Sequence, residues 1–141
     1  MIIKIVKKDT AKIKAFEKEE WKLADVEHYG KGHTVKKNFY KFVMDDEKGN
    51  ILGTLSLVTD FNVAYLDSIL VNSKYRKQGV GKKLIEEAEK IAKKNGCNKI
   101  WLETDEDWEA SKFYKKLNYK ITGTHENHYF GKRALIFTKF F

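Results

Sequence analysis

The sequence predicts a mixed α/β (α+β) domain whose sheet contains a central parallel strand pair. Three observations predict it. The run Tyr65 to Val71 is apolar and rich in branched residues, as a buried strand requires. A turn carrying Gly79 and Gly81 then leads into a helix with one apolar and one charged face. Lys99 to Thr104 and the segment after it repeat the strand-then-helix order, and strands before and after each of two patterned helices imply a parallel pair.

Taken in order, Met1 to Lys7 alternates loosely and reads as a first strand. Asp9 or Thr10 is placed to cap a helix through Ile13 and Phe16 to about Glu20, whereas 21–35 gives no clear pattern. Asn38 to Met44 and Ile51 to Val58 read as hairpin strands joined by an acidic, glycine-containing turn. Thr59 to Asn62 turns the chain into the Tyr65–Val71 strand. In the helix that follows, Val80, Leu84, Ile85, Ala88, Ile91 and Ala92 share one side. Lys82, Lys83, Glu86, Glu87, Glu89, Lys90, Lys93 and Lys94 share the other, with Glu86–Lys90 and Glu89–Lys93 in the favourable order four apart. Asn95-Gly96 supplies the stop. A short helix from about Trp108 to Leu117 buries Ala110, Phe113, Tyr114 and Leu117, and Lys120–Thr124 and Arg133–Phe141 close the chain as strands.

The 141 residues suit one domain over 1–141, with 42% hydrophobic and 13% aromatic residues to fill a core. Of the net charge of +8, Lys74, Arg76, Lys77, Lys82 and Lys83 contribute +5 with no acid among them, leaving +3 for the rest. That concentration fits one anion site better than a duplex-binding face, so no nucleic-acid partner is expected. The helix face also interleaves acids with lysines, unlike a phosphate-tracking stripe. A single cysteine, Cys97, permits no internal disulfide and reads as a packed side chain; with no membrane-length apolar run and no signal-like start, a cytoplasmic protein is expected. His125-Glu126-Asn127-His128 is not a zinc motif, and no metal is expected.

Strand, glycine turn and helix start together make an anion cradle. Glycine lets main-chain N–H groups approach a phosphate, and the first helical turn leaves such groups unpaired beside a partial positive charge. The spacing is neither a dinucleotide fingerprint nor a P-loop: Leu84 stands where a third glycine belongs, and no Ser or Thr follows Lys82. Arg76-Lys77-Gln78-Gly79-Val80-Gly81 instead resembles the acetyl-CoA-binding motif R/Q-x-x-G-x-G/A of the Gcn5-related N-acetyltransferases (GNAT family), with Leu70-Val71 at the family's upstream spacing. Ser73 replaces a frequent proline. Further on, Ala110 to Tyr119 resembles the family's A-x-x-F/L-Y-x-x-L-G-F motif, with Asn118 in place of glycine and Asp107 in place of a cofactor-contacting asparagine, a position where it has a structural alternative as a helix cap.

The resemblance implies a single GNAT domain with a mostly antiparallel sheet of six to seven strands, the central parallel pair and flanking helices. It implies acetyl-CoA as cosubstrate and a primary amine as acceptor, in a monomer or homodimer. Leu70, Val71, Arg76, Lys77, Gln78, Gly79, Val80, Gly81, Lys82, Asp107 and Phe113 are the implied cofactor-binding residues. The implied catalytic residues are Tyr114 as acid to the leaving thiolate and Asp67 as base, with Glu103 the second candidate. Asp67 has a structural alternative in pairing with a nearby lysine, and Tyr114 in simple packing beside Phe113.

The acceptor must be neutral to attack, and deprotonating an amine of pKa about 10.4 at pH 7 costs about 4.6 kcal/mol. A base, a water chain or desolvation has to offset part of that. An oxyanion partner is expected from a backbone N–H freed by a bulge near Leu70. Trp21, His28, Tyr29 and His33, with Asp25 or Glu27, stand where the family builds its acceptor pocket. Two rival readings remain: a non-catalytic acyl-CoA-binding module of the same fold, and a basic nucleic-acid-binding domain.

Overall fold

The computed structural model describes residues 3–32 and 36–141, which fall into two compact units, residues 1–35 and 36–141. In the first, helix α1 (Ala11–Tyr29) starts where the Thr10 hydroxyl accepts a hydrogen bond from the Ile13 N–H at 3.2 Å. It runs past Glu20 because nothing before Gly30 (φ 85°) breaks it. Residues 3–7 form no strand, and Met1 and Ile2 of that expected strand lie outside the described residues. Two alternating isoleucines supply no strand to pair with, and pairing is what makes a strand.

The second unit is a six-stranded mixed sheet ordered β1-β2-β3-β4-β6-β5. Its strands are β1 (Asn38–Asp45), β2 (Ile51–Asp60), β3 (Val63–Val71), β4 (Lys99–Asp105), β5 (Lys120–His125) and β6 (Ala134–Phe140). The parallel pair is β3 with β4; every other neighbour is antiparallel. The loop from β2 to β3 is tighter than the expected Thr59–Asn62 turn. Thr59 and Asp60 stay in the ladder opposite Ala64 and Val63, and Phe61 and Asn62 alone reverse the chain with φ of 44° and 62°. Left-handed backbone at both central residues is the hairpin-favoured geometry. A phenylalanine there gives no turn signal.

Helix α2 (Val80–Lys94) packs Val80, Leu84, Ile85, Ala88 and Ala92 against the sheet with Leu55, Leu57, Ile100 and Leu102. Glu89, expected on the charged face paired with Lys93, is buried instead. Its carboxylate accepts from Lys139 Nζ at 2.9 Å on both oxygens and from the Tyr119 hydroxyl at 3.1 Å. The exposed pairs are Lys82–Glu86 and Lys90–Glu87 rather than Glu86–Lys90. A buried carboxylate needs its partners fixed, and β6 provides a cation there.

Both helices of this unit end alike. After α2, the Cys97 N–H donates to Ala92 O and the Gly96 N–H to Lys93 O, with Gly96 left-handed. After α3 (Glu109–Lys116), the Tyr119 N–H donates to Tyr114 O and the Asn118 N–H to Lys115 O, with Asn118 at φ 64°. Both are Schellman closures, the second with asparagine doing what glycine does in the first. Among the described residues no helix is long and apolar enough to cross a membrane.

Candidate active site

β3 and β4 are paired only over Val63–Tyr65 against Lys99–Trp101. Beyond Tyr65 the strands part, and among the described residues the β4-facing edge of β3 has no strand partner. A cleft of about 630 Å³ opens there. Ile69, Leu70 and Val71 line it from β3. Tyr75, Arg76, Lys77, Gly79, Gly81 and Lys82 line it from the turn and the start of α2, and Trp108, Glu109, Ala110, Phe113 and Tyr114 from the α3 side.

The turn is braced by its own polar atoms. Asn72 Oδ1 accepts from the Lys74 N–H at 3.1 Å, Gln78 Nε2 donates to Lys74 O at 3.0 Å, and Arg76 Nε reaches Val71 O at 3.4 Å. Lys77 (φ 62°) and Gly79 (φ 86°) are left-handed, and a Cβ on Gly79 would project into open space. The Lys83 N–H donates to Gly79 O, so the N–H groups of Val80, Gly81 and Lys82 precede the first bond of the helix. Among the described residues, no side-chain oxygen caps this end and no turn bond starts from a main-chain N–H of residues 76–82. These amides, with five cations between residues 74 and 83, are what a diphosphate would meet.

Of the residues expected at the cofactor, Leu70, Val71, Arg76, Lys77, Gly79, Gly81, Lys82 and Phe113 line the cleft, together with Tyr114. Gln78 braces the turn, Val80 points into the core, and Asp107 is 2.7 Å from Lys132 in an ion pair. Ile69, Tyr75, Trp108 and Glu109 line the cleft without having been expected at the cofactor; the position of Trp108 and Glu109 follows from where α3 packs, which no local pattern encodes. Gly53 also escaped notice. A Cβ there would lie 2.9 Å from Leu70 O and 3.0 Å from a Val80 methyl, so its bareness sets how closely β2 approaches β3 and α2.

Tyr114 is 3% exposed, its ring against Phe113, Tyr119 and Phe137 at centroid distances of 5.3–5.7 Å. Burial pushes its phenol up to about 12. Burial, the Glu89 charge and its hydrogen bond push Tyr119 higher still.

Opposite Ser56 and Leu57 stand Ser68 and Leu66, which makes Asp67 the extra residue of a β-bulge. The bulge thus lies at Asp67, not near Leu70. Its side chain is exposed. Glu103 stands across the divergence on β4, where His125 Nε2 lies 3.4 Å from its Oε2 and His128 Nε2 lies 3.8 Å from its Oε1. Both carboxylates act on Tyr65, which is packed on Trp101 at 4.5 Å; its phenol is raised by burial first, then by Glu103, Asp67 and Tyr129. Trp21, Asp25, Glu27, His28 and Tyr29 lie on α1 in the first unit, and His33 lies outside the described residues.

Diverging parallel strands, an amide-lined turn and a buried tyrosine on the facing helix define an α/β site built to take a long, anionic ligand. The chain belongs to the acetyltransferase (GNAT) family, whose model matches residues 8–119. It is 29% identical over 80 residues to an uncharacterized N-acetyltransferase of Chlorobaculum tepidum, a match covering 56% of this chain and 49% of that one, so the matched region spans about half the length of that curated relative. Among solved structures it resembles an acetyltransferase of Bacillus cereus (26% identity, TM-score 0.79, 98% of each chain). It also resembles a protein described as a streptothricin acetyltransferase of Bacillus anthracis, solved in complex with acetyl coenzyme A (32% identity, TM-score 0.69, 75% of this chain and 64% of that one).

Proposed function

We propose that residues 1–141 act as one N-acetyltransferase domain that moves the acetyl group of acetyl-CoA to a primary amine by direct attack. The observation that carries this reading is the run of amides at the start of α2 that is unbonded among the described residues and opens, with Arg76, Lys77 and Lys82, onto the cleft between the end of β3 and α3. The diphosphate would be gripped there, and the pantetheine arm would lie along Leu70 and Val71 as an added strand on the open edge of β3. That route leads the thioester toward the Asp67 bulge, where main-chain N–H groups displaced from the ladder can donate to the carbonyl oxygen as it becomes an oxyanion.

The acceptor nitrogen forms the new N–C bond as the C–S bond breaks. One proton leaves the ammonium before attack and a second leaves the nitrogen afterwards, while the CoA thiolate takes one up. One proton is released overall. Asp67 and Glu103, the carboxylates whose charges reach Tyr65, are the groups available to receive it. Tyr114 serves the departing sulfur as a hydrogen-bond donor. With its phenol at about 12, full transfer to a thiolate of pKa about 8.5 would run uphill by roughly 5 kcal/mol, so donation without transfer is the useful role.

Incubation with acetyl-CoA and a panel of amines (polyamines, amino acids, aminoglycosides, peptides with free N-termini), followed by thiol release, tests the reading. Amine-dependent release supports it. Calorimetric binding of CoA without release from any amine would leave an acyl-CoA-binding module, and no binding would remove the site altogether.

A further inference from the structure

Tyr114 lines the cleft, yet among the described residues no hydrogen bond engages its hydroxyl, and burial alone acts on its phenol. Its aim is therefore set by ring packing. Phe113, Tyr119 and Phe137 surround it at centroid distances of 5.3, 5.7 and 5.7 Å. The two phenylalanines have no polar end by which to be tied. Tyr119 differs. It is buried, and its hydroxyl donates to Glu89 Oε1 at 3.1 Å. Its main-chain N–H donates to Tyr114 O at 3.1 Å, so the two tyrosines are joined through the backbone as well as edge to face, 62° apart in plane.

Glu89 is itself fixed. Lys139 Nζ donates to both of its oxygens at 2.9 Å, and the same ammonium lies 5.6 Å from the centre of the Tyr119 ring. The Glu89 side chain is 12% exposed and that of Lys139 28%, so water competes little for these bonds. Burial, then the Glu89 charge and hydrogen bond, raise the Tyr119 phenol, which keeps it the donor. Three elements thus meet on one ring: α2 through Glu89, β6 through Lys139 and α3 through Tyr114. Stability alone does not call for this arrangement, since apolar residues of similar volume would hold the same elements as firmly. What the polar tether adds is direction, because a hydrogen bond restricts where a ring can point and apolar contact tolerates rotation.

We propose that Tyr119, tethered by Glu89 and Lys139, is a positioning residue that holds the unbonded hydroxyl of Tyr114 toward the thioester sulfur of bound acetyl-CoA. This rests on the acetyltransferase reading. Tyr119 does not line the cleft, and its effect passes through Tyr114. A displacement of about 1 Å at a reacting group can cost on the order of 100-fold in rate, so even a partial loss of aim is visible in turnover.

Tyr119→Phe is the sharpest variant, because it keeps the ring and leaves both Glu89 oxygens on Lys139. Thiol release with the panel amine that reacts fastest should show kcat lowered roughly 3- to 5-fold, with KM for acetyl-CoA and calorimetric CoA affinity within about 2-fold. In a Tyr114→Phe background there is no hydroxyl to aim, and Tyr119→Phe should cost nothing further. The same loss in both backgrounds, or no loss beside an intact Tyr114, would overturn the positioning role. A second measurement needs neither amine nor acetyl-CoA. In protein carrying ring-labelled tyrosine, the phenol Cζ resonance of Tyr114 should broaden or split in Tyr119→Phe as its ring takes up more than one pose. Glu89→Leu/Lys139→Met replaces the ion pair by apolar residues of similar size, so it should fold, and it should broaden the same resonance. A Tyr114 resonance as sharp as wild type in both variants would overturn the tether. Failure of every amine to release thiol would strike the acetyltransferase reading instead, while the tyrosine resonance still judges the tether.

Discussion

Two stretches follow the two parallel strands, and they are opposites. Residues 74–83, from the turn after β3 into the first turn of α2, hold five cations and no acid; residues 103–109, from the end of β4 to the first residue of α3, hold Glu103, Asp105, Glu106, Asp107 and Glu109 and no cation. Their charges are used differently. Among the described residues no ion pair engages Lys74, Arg76, Lys77 or Lys83, and Lys82 reaches only Glu86 at 3.8 Å. The acids, by contrast, face partners from the β5–β6 side: Glu103 the two histidines, Glu106 Arg133 and Asp107 Lys132. One turn keeps its amides and cations available to a ligand, and the other uses its charge to hold the chain's last hairpin to β4. Similar strand–turn–helix topology becomes a binding site in one case and a brace in the other.

The largest break in that contrast should come from Gly81→Val. A Cβ there already lies 3.2 Å from the Phe113 ring and 3.5 Å from a Val71 methyl, so two further methyls must push Phe113 into the cleft. Affinity for CoA should fall by ~100-fold, about 2.7 kcal/mol, in calorimetry. Unchanged affinity would mean the amides of that turn are not the site. Next in size is neutralisation of Arg76, Lys77 and Lys82 to alanine. Each should weaken CoA by roughly 3- to 10-fold, and the loss should shrink as salt rises, because exposed charges are screened. A triple variant that binds CoA as tightly as wild type at low salt would say that the amides alone suffice.

Tyr114→Phe sharpens the contrast differently, since it removes a donor from the cleft and leaves both turns intact. Thiol release should slow by about 10-fold, with CoA affinity within 2-fold. The variant also carries a stability signature. A phenol raised to about 12 in the fold, against 10 in the unfolded chain, contributes stability that is complete below pH 10 and lost as pH rises through 12. Wild type should therefore lose stability over that window more steeply than Tyr114→Phe, which urea denaturation at pH 9 and pH 11.5 would show.

How much of this was legible followed from the range of the contacts. The turn at 74–83 could be read because strand, glycines and helix face are all encoded within thirty residues, and Asn118 could be read as a left-handed stop for the same reason. What could not be read depends on residues far apart in sequence. Asp67 becomes a bulge only against Ser56 and Leu57, and Glu89 leaves the polar face only because Lys139 and Tyr119 arrive fifty and thirty residues later. His125 and His128 look like surface residues until β5 brings them to Glu103. The Phe61–Asn62 turn is the exception, a local feature hidden because a bulky ring occupies a conformation it seldom adopts.

Asp107 is the finest test of the division between the two turns. By family pattern it stands where an asparagine would touch the cofactor, so the sequence alone puts it in the binding site. In the structure its carboxylate accepts a hydrogen bond from Lys132 at 2.7 Å, both side chains about half exposed or more, and it does not line the cleft. That hydrogen bond holds the Asp107 carboxyl below its ordinary value, so whatever stability it adds is present above pH 4 and fades as the carboxyl protonates in more acidic solution. An exposed pair of this kind contributes little. Asp107→Asn should accordingly leave the melting temperature at pH 7 nearly unchanged and CoA affinity within 2-fold of wild type. A tighter grip on CoA in Asp107→Asn would mean that the acidic turn is also part of the binding site, and that the asparagine of the family pattern does there what the aspartate here has been diverted from doing by Lys132.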